Sequence, residues 1–173
     1  NLFVSYNIKT SDYSKLRFEF TKMQYLAQQP GGLTDNQFYL NTDTSLRSRN
    51  WFNVDWNLGA IHYDYEFNST TKINSRTFGL VASRKAIGNM DKPFYQDFMQ
   101  NRNIISGEFK NIGNETRFLH LYDVNKNPSA LLLGARVYRG FNRSIQGEGS
   151  DSNEPDFNFL GDVNDIVNST GII

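Results

Sequence analysis

Residues 50–67, NWFNVDWNLGAIHYDYEF, decide how the rest of the chain is read. Phe52, Val54, Trp56 and Leu58 alternate with Asn53, Asp55 and Asn57, and a period of two is the pattern of a β-strand. The alternation then slips by one residue. Beyond it Ile61, Tyr63, Tyr65 and Phe67 are the apolar set, opposite His62, Asp64 and Glu66. The pattern runs from about Leu46 to Phe67, several times the usual strand length of about 5–6 residues. Strands often slip phase at a β-bulge, where glycine is frequent, so Gly59-Ala60-Ile61 is expected to hold one.

The same period recurs along the chain. Val4, Tyr6 and Ile8 share one side of a first strand, which turns at Ser11–Ser14. Leu16, Phe18 and Phe20 alternate with Arg17, Glu19 and Thr21 in a second. After the long strand come a turn at Asn68–Thr71 and a return strand from Lys72 to about Lys85. A fifth strand covers roughly Phe109–Val124, and Asn125–Ser129 turns it into Ala130–Phe141. Residues from Asn142 onward are rich in Gly, Asp and Asn and carry no period. No stretch has the 3.6-residue period of a long amphipathic helix, and a short turn is expected around Pro93–Gln100. The fold class is therefore all-β, with about six antiparallel up-and-down strands.

The connections alternate in length. Short turns follow Lys9, Phe67 and Val124, whereas long loops occupy approximately residues 28–45, 86–107 and 142–173. Short turns at one end and long loops at the other mark outer-membrane barrels, whose short turns face the periplasm. In that setting Phe52, Val54, Trp56 and Leu58 are expected to touch hydrocarbon, with Asn53, Asp55 and Asn57 lining a wet interior. Tyr63, Tyr65 and Phe67 fit the periplasmic aromatic girdle. A soluble β-sheet binding protein is the alternative. Six strands cannot close a membrane barrel, and an open edge in lipid leaves backbone groups unpaired. The chain is thus expected to be a segment of a larger barrel, over residues 1–173.

Composition narrows the classes. Lys plus Arg and Asp plus Glu each number 18, so no charge imbalance points to nucleic acid. Cysteine is absent, which excludes disulfide and thiol chemistry. Aromatic residues reach 14%, yet no run approaches the roughly 18 apolar residues of a membrane helix. The opening Asn1-Leu-Phe-Val has no signal-peptide pattern, so the chain is expected to begin mid-protein or after processing.

Three stretches carry a family resemblance: LRFEFTKMQYLAQQPGGLTDNQF (Leu16–Phe38), SRNWFNVDWNLGAIHYDYEF (Ser48–Phe67) and RGFNRSIQGEGSDSNEPDF (Arg139–Phe157). Together they resemble the barrel of TonB-dependent outer-membrane receptors, of the ferric dicitrate transport type found in Bacteroidetes. The resemblance implies part of a barrel of about 22 strands with a plugged lumen, in the outer membrane of a Gram-negative bacterium. It also implies import of a ferric chelate as cargo, with no resident cofactor and no enzymatic step. Implied partners are the TonB energy-transducing complex, reached through a plug segment, the rest of the barrel, and outer-membrane lipid and lipopolysaccharide. Another cargo, such as a different siderophore or a glycan, stays open.

Arginine suits carboxylate cargo because its planar fork donates in pairs. Candidate ligand residues at the long-loop end are Arg47, Arg49, Arg84, Lys85 and Arg102. Arg47 and Arg49 share parity with Asn53 and Asp55 and so are expected to point into the vestibule. Gln28 and Gln29, beside Pro30-Gly31-Gly32, sit on a loop able to close over cargo. Rim arginines also hold lipid phosphates or solvate loops, the stated alternative for each, and Arg139 shares parity with Val137. His62 and His120 lie on different strands, and the acidic tail (Asp151, Glu154, Asp156, Asp162, Asp165) lacks calcium-loop spacing. No nucleophile–base pattern stands out for catalysis.

Overall fold

The computed structural model describes residues 1–29, 31–89 and 93–172. Seven strands form one antiparallel sheet in sequence order: β1 (Leu2–Ser11), β2 (Ser14–Gln28), β3 (Trp51–Glu66), β4 (Thr71–Gly88), β5 (Arg102–Val124), β6 (Asn127–Gly149) and β7 (Phe159–Ile172). A helix, α1 (Asp35–Leu40), lies in the first long loop, and a single 3-10 turn, Phe94–Gln96, in the second. Within the described residues β1 and β7 form the two edges of the sheet.

Local chemistry explains the short turns. Asn125 and Lys126 have φ of 49° and 67°. Two consecutive left-handed residues match the right-handed twist of the flanking strands, which is why two-residue hairpins favour them. Asn68 Oδ1 accepts the Thr70 backbone N–H at 2.9 Å and closes an Asx turn. At the β1–β2 turn the register shifts between Lys9 and Ser11, and the Ser11 hydroxyl accepts the Tyr13 N–H at 3.1 Å.

Two expectations change. The sheet has a seventh strand, and β6 runs on to Gly149, so the last long loop spans only 150–158 rather than 142–173. The segment that pairs there, GDVNDIVN from Gly161, alternates weakly because neither face is strongly buried. No bulge occurs at Gly59. The register of β3 is unbroken from Trp51 to Glu66 against β4, and equally continuous against β2.

The slip in the sequence is instead an exchange of polarity between two faces. Register places Val4, Phe18, Ile61, Phe118, Leu133 and Val137 on one face, here the belt face. Toward the short turns this face is open and mostly apolar, with Tyr6 64% exposed, Leu133 56% and Val137 54%, and it includes one self-satisfied polar cluster of Ser75, Thr77, Asn114 and Thr116. The opposite, charged face carries Arg17, His62, Arg76, Glu115 and Arg136 as directly paired neighbours on five successive strands. Beyond Gly59 the polarity crosses over. Asn57, Asp55 and Asn53 continue the belt face, while Leu58, Trp56, Val54 and Phe52 continue the charged face. The expectation that Phe52, Val54, Trp56 and Leu58 share a lipid-facing surface with Ile61 is therefore corrected, because an unbroken strand keeps odd and even residues apart.

Burial is sparse. Val54 and Ala82, 2% and 6% exposed, pack on the charged face, while Ile87 and Ile104 are covered beside the long loops. A sheet with an exposed apolar belt and so little interior does not resemble a soluble core.

Candidate vestibule at the long-loop end

All three long connections leave the same end of the sheet, and two arginines tie them together. Arg49 is 4% exposed. Its Nη1 donates to Asp97, and its Nη2 to the carbonyls of Gln100 at 2.8 Å and Asp151 at 2.7 Å. One guanidinium thus joins the first loop to the second and third. Arg102 is fully buried. It donates through Nε to the Ser150 carbonyl at 2.9 Å, and through Nη1 to the Arg49 carbonyl at 2.9 Å. Its Nη2 reaches the Ser150 hydroxyl at 3.3 Å, which in turn donates to Asp156. Burial and the charge of Arg49 pull the Arg102 guanidinium below the ordinary arginine range, and Asp156, Asp97 and Asp151 oppose them. The group stays charged, since arginine does not deprotonate in proteins.

Smaller contacts complete the knot. Trp51 Nε1 donates to the Asn153 carbonyl at 2.7 Å, and Arg47 Nη1 to the Asn89 carbonyl at 2.7 Å. Asn50, 2% exposed, accepts the Asn89 N–H at 3.0 Å. Its side chain lies where a Cβ on Gly88 would fall. Gly88→Ala is expected to displace Asn50 and destabilise the protein by about 1–3 kcal/mol, the usual cost of overpacking. Chemical denaturation of Gly88→Ala beside wild type measures it, and an unchanged midpoint would refute the packing argument.

The seven sequence candidates separate accordingly. Arg49 and Arg102 are spent on loop carbonyls and carboxylates, and Arg47 is half-buried against the second loop. Gln28 donates to the Ser48 carbonyl at 3.0 Å, and Gln29 bridges the loop base through Ser45 and Asn50. Pro30 of the Pro-Gly-Gly loop lies outside the described residues. Lys85 is exposed on the belt face, with Asn53 and Asp55. Arg84 alone among the seven lies exposed on the charged face, paired with Val54 and Gly107. Arg47 and Arg49 precede β3, so their parity with Asn53 and Asp55 does not carry into the vestibule.

Sequence reading passed over three features. The helix α1 begins with a capping box between Thr34 and Gln37, a signal present in the Thr-Asp-Asn-Gln sequence. Near Arg84 the charged face carries Tyr25 and Phe52, whose ring centroids are 6.0 Å apart. Lower down, Arg76 and Arg136 approach the Phe78 ring at 5.5 and 5.8 Å, while His62 bridges Arg17 and Glu19 at 3.3 and 3.0 Å. Strand parity contained that row, but only register aligns it. Among the described residues no group of three or more His, Cys, Asp or Glu is arranged to hold a metal.

Such a wall, with short turns at one end, knotted loops at the other and opposed faces, has a counterpart among solved structures. The sheet resembles part of the ferric citrate transporter FecA. Against the crystal structure of its unliganded form the TM-score is 0.72 over 86% of this chain, at 13% identity. The chain spans 21% of that protein, so the likeness concerns a segment of its fold. No family model matches the sequence, and no curated protein is similar to it.

Proposed function

We propose that this chain is a section of the barrel wall of a TonB-dependent outer-membrane receptor, of the ferric dicitrate type of Bacteroidetes, that imports a ferric chelate such as ferric citrate. The observation that carries the reading is the exposed apolar belt beside the short turns, backed by a charged face. On β5 the belt face runs from Ile112 to Val124 through Phe118 and Tyr122, interrupted by Asn114, Thr116 and His120, and at about 3.3 Å per residue and a tilt near 40° it spans roughly 30 Å, close to the hydrocarbon thickness. The belt face then meets lipid, and the charged face lines a wet lumen. The upper half stands above the membrane, where the outward face turns polar. Edge strands β1 and β7 pair with the rest of the barrel, because lipid satisfies no backbone groups. Energy comes from the TonB complex through a plug segment, and the fold's likeness to a transporter supports transport over catalysis.

Within the vestibule Arg84 is the side chain placed to meet an anionic chelate. Arg47 and Gln29 are secondary contacts, Lys85 and Gln28 lie on the outward face, and Arg49 and Arg102 act by holding the loops that close over cargo. Arg84→Ala in the intact receptor is expected to weaken ferric citrate binding about tenfold or more, the worth of a charge-assisted hydrogen bond of about 1.5–3 kcal/mol. Titration of radiolabelled ferric citrate onto whole cells tests it, with Lys85→Ala as the comparison. Equal binding by Arg84→Ala and wild type would remove Arg84 from the site. A glycan is the second reading, favoured by Tyr25, Phe52 and Trp56 beside Arg84. Failure of ferric citrate to compete with a bound oligosaccharide would select it.

A further inference from the structure

In the charged row, cations and carboxylates do not balance. Arg17 ion-pairs with Glu19 at 3.3 Å, and Arg117 with Glu115. Nearer the short turns, register sets Lys15 beside Asp64 and Lys72 beside Glu66. Arg76 and Arg136 are left over. Glu115 is the direct cross-strand partner of both, yet its carboxylate is taken by Arg117. Both arginines are exposed, and neither makes an ion pair or side-chain hydrogen bond among the described residues.

Aromatic rings hold these two cations in place. A guanidinium within about 6 Å of a ring centroid is attracted to the ring face. Arg76 lies 5.5 Å from the Phe78 ring, and Arg136 lies 5.8 Å from it and 5.9 Å from the Tyr138 ring. The Phe78 ring lies across β5 at Gly113, where a Cβ would fall 2.6 Å from its Cζ, and it stacks on Tyr138 with centroids 6.5 Å apart. Arg76, Phe78 and Tyr138 line a pocket of about 300 Å³ on this face, together with Phe3, Thr21, Leu58 and Asn111. Glu19 also lines it, but its carboxylate is committed to His62 and Arg17.

Two guanidinium forks without carboxylates of their own, beside a half-apolar pocket, suit a small anion that carries several carboxylates. The vestibule is a different place. Arg76 and Arg84 share parity on β4, but their separation in sequence puts them about 26 Å apart along the strand. We infer that Arg76 and Arg136 form a second, deeper site on the lumen wall, which takes a polycarboxylate anion on its way from the vestibule. The inference rests on the transport reading above and adds to it a stop between loop closure and release.

The intact receptor in the outer membrane is tested with radiolabelled ferric citrate. De-energised cells report binding, and energised cells report uptake. Arg76→Gln with Arg136→Gln should leave binding at the vestibule within about twofold of wild type, because distant sites act independently. The same variant should lower uptake at subsaturating ferric citrate by about tenfold or more, since a charge-assisted hydrogen bond is worth about that factor. Heat-modifiable gel mobility reports that the variant is folded. Uptake equal to wild type by the folded variant overturns the site. So does increased entry of vancomycin into variant cells, which would show the two arginines holding an acidic protein segment in the lumen rather than cargo. Wild-type cells that neither bind nor import ferric citrate overturn the cargo reading itself, and this site's ligand with it, a result seen before any variant is compared.

Discussion

Arg49→Ala is expected to release all three long loops together. The substitution strands the Asp97 carboxylate and leaves the Gln100 and Asp151 carbonyls without their donor. Removing one partner of a buried ion pair costs about 3–5 kcal/mol, because the remaining charge stays desolvated. The cost falls on loop closure rather than on the sheet, whose strand pairing does not pass through Arg49. Hydrogen exchange should therefore rise by two to three orders of magnitude in residues 93–101 and 150–158, at about 1.4 kcal/mol per tenfold, while β3–β5 stay protected. Arg49→Lys should recover little, since one ammonium does not reproduce a fork serving three acceptors. Unchanged exchange in both loops would show that the knot carries no energy. A loss of protection throughout the sheet would show that it holds the wall and not the loops.

A charge on the belt face should cost far more than the same charge on the opposite face. Leu133→Arg places a guanidinium in the middle of the apolar belt, where arginine in a membrane barrel costs about 2–4 kcal/mol. Leu58→Arg puts the same group on the face that continues into the charged row, where the expected cost is below about 1 kcal/mol. The two side chains are 56% and 37% exposed, so neither change opens a buried core. Chemical unfolding of the intact receptor in lipid vesicles measures both. The reverse order, with Leu58→Arg the costly change, would return Phe52, Val54, Trp56 and Leu58 to lipid and invert the assignment of faces. Two small costs would argue against any membrane contact for this sheet.

These two predictions sit where sequence reading succeeded least. Arg49 was visible as a cation at the long-loop end, but its partners Asp97, Gln100 and Asp151 are 48 to 102 residues away. An arginine about to bind cargo and one already bound to carbonyls are the same letter. Arg84, the candidate left exposed on the charged face, differs from Lys85 by one position of parity, and only the register across strands separates them. The slip at Gly59 misled for a related reason. Within one strand, a bulge and an exchange of face polarity write the same pattern, and the continuous pairing to β2 and β4 distinguishes them.

Alternation by itself determined that the chain is all-β, because a period of two over long stretches admits no helix. Turn chemistry and loop length determined the up-and-down order and which end bears the long loops. Those are local properties, written in neighbouring residues. The seventh strand, the side of each face and the occupation of Arg49 and Arg102 were decided by tertiary structure alone. Each depends on hydrogen-bond register between strands distant in sequence, and on which desolvated charges find partners across loops that only the assembled sheet brings together.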